Sequence, residues 1–165
     1  MMSERDKLLV VGIADMKLAQ KGEKLITYAL GSCIGICLYD GLLHNAAMVH
    51  IMLPLNKEAS AREQIFKYAD TGIREALRQM AMRGSDCRRV TAKIAGGAKM
   101  FDIPNGSIGN IGQRNIESVH QILRQEHIAL LKEDVGGNIA RTLEFDSTTG
   151  EGVIRTYSGR PELRF

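Results

Sequence analysis

Cys33 and His50 are the two side chains whose types and spacing could do covalent chemistry in this sequence. Cys33 ends the run Thr27-Tyr28-Ala29-Leu30-Gly31-Ser32-Cys33, and His50 stands in Met48-Val49-His50-Ile51-Met52-Leu53-Pro54. A carboxamide resists water because its nitrogen is a poor leaving group. A thiolate attacks it better, and an imidazole that first takes the thiol proton can return it to the departing nitrogen. The thioester so formed is open to water. A thiol at a Gly-Ser turn and a base on a returning arm are therefore parts of a nucleophilic amidase.

The elements between them must supply the geometry. Ile34 to Asp40 and Ala46 to Leu53 are apolar runs joined by Gly41 to Asn45, which predicts a hairpin. With Tyr39 opposite Ala46, Gly35 falls opposite His50 and Cys33 opposite Met52. Cys33 and His50 are then diagonal neighbours on one face, about 7–8 Å apart along the backbone. A slip of one residue would put them on opposite faces. Gly35 is expected to leave open space beside the imidazole for a substrate side chain, and the backbone N–H groups at Ser32 and Cys33 to face an oxyanion. Cys37, further along the strand, reads as an inert core thiol. Cys87 is isolated, and His44, His120 and His127 have no comparable setting.

Around the hairpin, Leu8 to Ile13 and Lys24 to Leu30 read as strands, with a polar loop from Asp15 to Gly22 between them. Pro54 to Glu58 is a polar connection. Apolar residues from Ala61 to Met82 recur at helical spacing, and Gly84 ends that helix. Val90 to Ala95 predicts a strand closed by Gly96-Gly97. Asn110 is placed to cap a second helix that carries Ile116, Val119, His120 and Leu123 on one face. Ile128 to Glu133 is a further strand. Arg141 to Phe145 and Gly152 to Tyr157 flank Asp146-Ser147-Thr148-Thr149-Gly150, a hairpin signal. The chain therefore reads as one α/β domain over residues 1–165, a mixed β-sheet with flanking helices.

Composition narrows the classes. A chain of 165 residues can bury a core without metals or disulfides. A net charge of +3, with basic residues scattered and no aromatic interleaving, argues against nucleic acid as partner. Three cysteines without a regular framework favour a reducing compartment. The apolar run after residue 7 is too brief for a signal peptide or a membrane span, so a cytoplasmic location without membrane insertion is expected. Cys33, Cys37 and Cys87 lack zinc spacing, and neither Gly-Gly pair completes a phosphate-binding motif, so neither metal nor cofactor is expected.

Six segments in order resemble one family. They are Thr27 to Cys33, His50-Ile51-Met52-Leu53-Pro54, Lys67-Tyr68-Ala69-Asp70-Thr71, Ala92-Lys93-Ile94-Ala95-Gly96-Gly97-Ala98, Ile111-Gly112-Gln113-Arg114-Asn115 and Glu133-Asp134-Val135-Gly136-Gly137-Asn138. Together they are similar to the chemoreceptor glutamine deamidase family, CheD. The resemblance implies a Cys-His-Thr site at Cys33, His50 and Thr27, on a layered α/β sandwich similar to the catalytic domain of cytotoxic necrotizing factor toxins. It implies hydrolysis of selected glutamine side chains of methyl-accepting chemotaxis receptors to glutamate, and binding to the phosphatase CheC. Phe101, beside the Gly96-Gly97 turn, becomes a candidate contact for that partner. Tyr28-Ala29 departs from the Leu-Gly often found before the nucleophile, and 159–165 carry no transferable motif.

Two rival readings stay open. A cysteine peptidase or a transglutaminase-like enzyme uses the same thiol and imidazole. A non-catalytic adaptor would bind receptors and CheC while the thiol stays idle.

Overall fold

The expected hairpin forms, in the register that brings Gly35 opposite His50. In the structure, a computed structural model describing residues 7–56, 62–100 and 110–165, β4 (Ile34–Asp40) pairs antiparallel with β5 (Asn45–Ile51), Tyr39 opposite Ala46 and Gly35 opposite His50. Side chains alternate across a strand, so this register sorts the hairpin into two faces. Ile34, Ile36, Leu38, Ala47, Val49 and Ile51 pack towards the helices, while Cys37, Ala46 and Met48 pack the other way. Gly35 and His50 belong to the second face.

The second face meets another sheet. One sheet runs β2 (Asp15–Ala19), β5, β4, β6 (Thr91–Gly96) and β7 (Ala129–Val135). The other runs β1 (Lys7–Val10), β3 (Glu23–Leu30), β8 (Arg141–Asp146), β9 (Gly152–Arg155) and β10 (Leu163–Arg164). Each is mixed, with one parallel pair, β1 with β3 and β6 with β7. Leu25, Leu30, Met48, Leu143 and Phe145 fill the space between the sheets. Helices α1 (Ala69–Met82) and α2 (Ile111–Gln125) cover the outer face of the first sheet through Ile73, Met80, Ile116, Val119 and Leu123. The domain is α/β as expected, but built of two facing sheets rather than one.

Three local expectations change. Asp15 to Ala19 is a strand, not a loop: Met16 and Leu18 pack on the helical side, and Asp15 pairs with His50 along β5. The predicted helix from Ala61 divides into 3-10 turns over Arg62–Lys67 and α1, because Gln64 breaks helical geometry and Tyr68 is extended. Ala61 itself and Lys57 to Glu58 lie outside the described residues. Asn110 stands at the N-cap of α2 without a side-chain capping bond. No helix among the described residues is long and apolar enough to cross a membrane.

Candidate active site

The candidate site lies between the two sheets, at the end where Cys33 is half-buried. Thr27 projects from β3 on the same face as Leu25, His50 projects from β5 on the same face as Met48, and the two meet across the gap. Thr27 Oγ1 lies 2.7 Å from His50 Nδ1 and donates its proton to the Val11 carbonyl at 2.8 Å. A threonine hydroxyl has one proton. With that proton on Val11, the oxygen can only accept from the ring, so the network assigns the neutral imidazole its hydrogen at Nδ1. Nε2 is left as the basic lone pair. It is buried and makes no hydrogen bond among the described residues.

Gly35 permits this crossing, and its role differs from the expected one. A β-carbon there would lie 2.9 Å from Leu143 Cδ2 and 3.1 Å from Leu30 Cδ1, with Thr27 Cγ2 at 3.5 Å. The space beside the imidazole is thus filled by the facing sheet and offers no substrate slot. The missing side chain instead lets β3 approach β5 closely enough for Thr27 to reach His50.

Cys33 sits just before β4, and alternation from Gly35 directs it to the same inter-sheet face. It packs half-buried against the cluster that contains Cys37, Leu30 and Leu143. Burial raises its thiol above the ordinary value, partly offset by its own backbone N–H. Burial also pushes His50 down to about 4, against a weak opposing field from Asp15. Burial therefore favours the neutral form of both the Cys33 thiol and the His50 imidazole over a thiolate–imidazolium pair. A thiol and an imidazole in these forms can react by general-base transfer at the moment of attack.

The turn that carries Cys33 is tightly built. Ala29 adopts a left-handed conformation with φ of 58° at the bulge where β3 loses register with β8. Gly97 N–H donates to the Cys33 carbonyl at 2.9 Å, and Ala98 N–H to the Gly31 carbonyl at 2.8 Å. Gly96, at φ of 121°, lies so close that a β-carbon would overlap the Cys33 carbonyl oxygen. Only glycine fits there. The N–H groups of Ser32 and Cys33 donate to no backbone carbonyl among the described residues. On the far side, Arg141 donates to Asp134 at 2.9 Å and to the Gly136 carbonyl at 2.9 Å, tying the Glu133–Asn138 segment to β8.

Two groups at the site were not read from the sequence. The Val11 carbonyl is invisible there, since any residue supplies one. Asn115 carried a signal that passed unread: it stands on the stripe Gly112, Asn115, Ile116, Val119, Ile122, Leu123, where an apolar residue is the rule. Its Nδ2 donates to the carbonyls of Ser32 and Met52, each at 2.9 Å. The other residues behave as expected or lie elsewhere. Cys37 is buried among apolar side chains with its thiol held far up by burial. Cys87 is exposed, His44 meets Tyr39, and His120 pairs with Glu133 at 2.5 Å. Phe101 lies outside the described residues. The described residues contain no group of three His, Cys, Asp or Glu side chains able to hold a metal.

A thiol, an oriented imidazole and backbone N–H groups not tied to any backbone carbonyl among the described residues are the parts of a cysteine-dependent acyl-transfer enzyme. Comparison with known proteins gives the lineage. The family described as CheD chemotactic sensory transduction matches residues 52–156. A protein of Syntrophomonas wolfei named "Probable chemoreceptor glutamine deamidase CheD" is 46% identical over 91% of this chain and 94% of its own. Proteins of the same name from Moorella thermoacetica and Caldanaerobacter subterraneus are 44% and 42% identical, over 92% and 91% of this chain and 91% and 93% of their own. The chain belongs to the CheD family.

Proposed function

We propose that this protein is a protein-glutamine glutaminase, hydrolysing selected glutamine side chains of methyl-accepting chemotaxis receptors to glutamate. The names of its relatives support the substrate class. The observation that carries the chemistry is the Val11–Thr27–His50 chain, which leaves Nε2 uncommitted on the face that Cys33 shares. His50 Nε2 takes the proton of Cys33 Sγ as the sulfur attacks the glutamine Cδ. The carbonyl oxygen becomes an oxyanion, faced by the N–H groups of Ser32 and Cys33. The imidazolium returns its proton to nitrogen and the C–N bond breaks, releasing ammonia and leaving a thioester. Water, deprotonated by the same nitrogen, attacks the thioester; glutamate leaves and the thiol is restored. No cofactor enters this cycle. Thr27 holds the ring in the tautomer and orientation that the cycle needs.

The proposal includes a cytoplasmic setting, where receptor signalling domains are reached, and a likeness of the two-sheet sandwich to the cytotoxic necrotizing factor catalytic domain. A second reading draws on the protonated, half-buried resting thiol: an adaptor that binds receptors and CheC without essential catalysis, with Phe101 as a contact. One experiment separates them. Receptor cytoplasmic domains are co-expressed with wild-type protein or Cys33→Ala, and their glutamines are examined by mass spectrometry. Glutamate at defined positions with wild type alone supports the enzyme; equal glutamine retention in both, with receptor binding intact, supports the adaptor. Cleaved fragments, or incorporation of an added amine, would instead indicate peptidase or transamidase chemistry.

A further inference from the structure

We infer that Asn115 is a positioning residue for Cys33 and His50, the clamp that sets how the nucleophile turn lies against the histidine strand. The inference rests on the deamidase reading for its activity arm. Pairing between β4 and β5 stops at Ile34 opposite Ile51. Cys33 lies one residue beyond that pair, so the ladder does not fix the turn that presents it. Asn115 bridges the gap: both protons of its amide are committed, one to the Ser32 carbonyl and one to the Met52 carbonyl. These belong to the residue before the thiol and to the second residue after the imidazole. On the opposite side the turn is held by Gly97 and Ala98. Among the described residues, Asn115 is the side chain that ties it to β5.

Asn115 is itself fixed. It is 0% exposed, and the turn of α2 before it packs against the Gly97 and Ala98 carbonyls, where a β-carbon on Gly112 would come within 2.6 Å of both oxygens. Its Oδ1 is buried and accepts nothing among the described residues. A desolvated acceptor without a donor opposes folding, and an apolar residue would fill the same stripe position without that penalty. Stability alone therefore does not account for asparagine here, whereas a fork that holds two carbonyls at once does.

The molecule contains its own control. Asn45, at the other end of β5, is also buried, donates Nδ2 to Ser85 Oγ and the Met80 carbonyl, and leaves Oδ1 without a partner. It touches nothing at the site. The test uses the full chain with Asn115→Ala, Asn45→Ala and His50→Ala. Receptor-fragment deamidation gives kcat and KM, and iodoacetamide labelling of Cys33 across pH is read by mass spectrometry. Asn115→Ala should lower kcat about 100-fold with little change in KM, the size expected for a displacement of about 1 Å. Its labelling profile should coincide with that of His50→Ala. Asn45→Ala should lose comparable stability yet keep kcat and the wild-type profile. Wild-type kcat and labelling in Asn115→Ala, or an equal loss in Asn45→Ala, overturns the clamp. If Asn115→Ala does not fold, Asn115→Ser, which can donate to one carbonyl only, is read against the same criteria. If wild type deamidates no receptor, the deamidase reading fails, and the labelling profiles still decide the clamp.

Discussion

The two ends of the β4–β5 hairpin are built from similar residue types and do different things. At the closed end, Asp40 is fully buried yet stays ionised, because Arg89 donates to both its oxygens at 3.2 and 3.0 Å and the Leu42 N–H adds a third bond. Burial would raise this carboxyl, but those partners hold it below its usual range. Asn45 is joined to Ser85, and Tyr39 to the Ser147 carbonyl. At the open end, Thr27 and Val11 complete a chain and Asn115 commits both amide protons. Each end leaves one asparagine Oδ1 without a partner among the described residues, but the open end also leaves groups able to attack or to take a proton. His50 Nε2 and the Cys33 thiol are left over. In the proposed reading, reactivity comes from which nucleophilic and basic groups the fold leaves uncommitted, not from an unusual residue inventory.

Swapping attention between two cysteines is the strongest way to break that comparison. Cys33, just before β4, and Cys37, within it, face the same inter-sheet space and differ in burial and in distance from the open end. Cys33→Ala should lower receptor deamidation by about 10⁴-fold or more with little change in unfolding free energy. Cys37→Ala should do the reverse, leaving the rate near wild type and lowering stability by about 1–2 kcal/mol through a small cavity. Chemical denaturation and single-turnover assays on the same preparations check both. A rate that fell with Cys37 as steeply as with Cys33 would falsify the division between the two ends.

Thr27 tests the same boundary from the other sheet. Thr27→Val keeps the shape but removes the acceptor for Nδ1–H, so the ring loses the partner that fixes its tautomer. A drop of about 10²–10⁴-fold in kcat is expected, the range a positioned base contributes. Thr27→Ser should stay close to wild type, since its hydroxyl can still join Val11 to His50. Equal loss in both variants would mean the methyl group, and so packing, is what matters.

Much of this end was legible in the sequence, for identifiable reasons. The hairpin followed from two apolar runs and a short polar connection, but the register that pairs Gly35 with His50 was only one of the possibilities, because both strands are buried on both faces and burial does not choose between them. The partition into two sheets was not legible. β3 pairs with β8, where Thr27 meets Leu143, and no local pattern encodes a partner so distant. That hidden pairing is also why Gly35 was misread: the residue that fills its space, Leu143, comes from the far sheet. β2 escaped because only Met16 and Leu18 give it apolar character on one side. Thr27 looked like strand filler until the family resemblance marked it; its bonds to Val11 and His50 are the observation on which its proposed role rests.

Protonation separates the ends in a graded way. The folded chain holds His50 at about 4 against an ordinary 6.5, so between those values the unfolded chain binds a proton that the folded chain refuses. Stability must therefore fall as pH drops through that window and level off below it, by at most about 3 kcal/mol from this group. His50→Gln should flatten that part of the curve in urea titrations. The acid limb of kcat/KM should sit nearer 4 than 6.5, since catalysis needs the neutral ring. A limb at the ordinary histidine value would show that water reaches His50 in the free enzyme.

The smallest expected effect concerns the turn itself. Ala29 holds φ of 58°, a conformation that costs an L-residue about 1–2 kcal/mol. Its carbonyl accepts from the Gly31 N–H at 3.0 Å, so the strained residue closes the turn that leads into Ser32 and Cys33. Ala29→Gly removes the steric penalty and adds chain entropy to the unfolded state, about 0.4–1 kcal/mol in the opposite sense. The net should be a gain of between about 0 and 1.6 kcal/mol in unfolding free energy. The rate decides what the strain is for. If Ala29→Gly is more stable and equally active, the strain is a tolerated departure at a solvent-facing bulge. If it is more stable and slower, the methyl group stiffens the nucleophile turn, and the open end depends on a backbone held off its minimum.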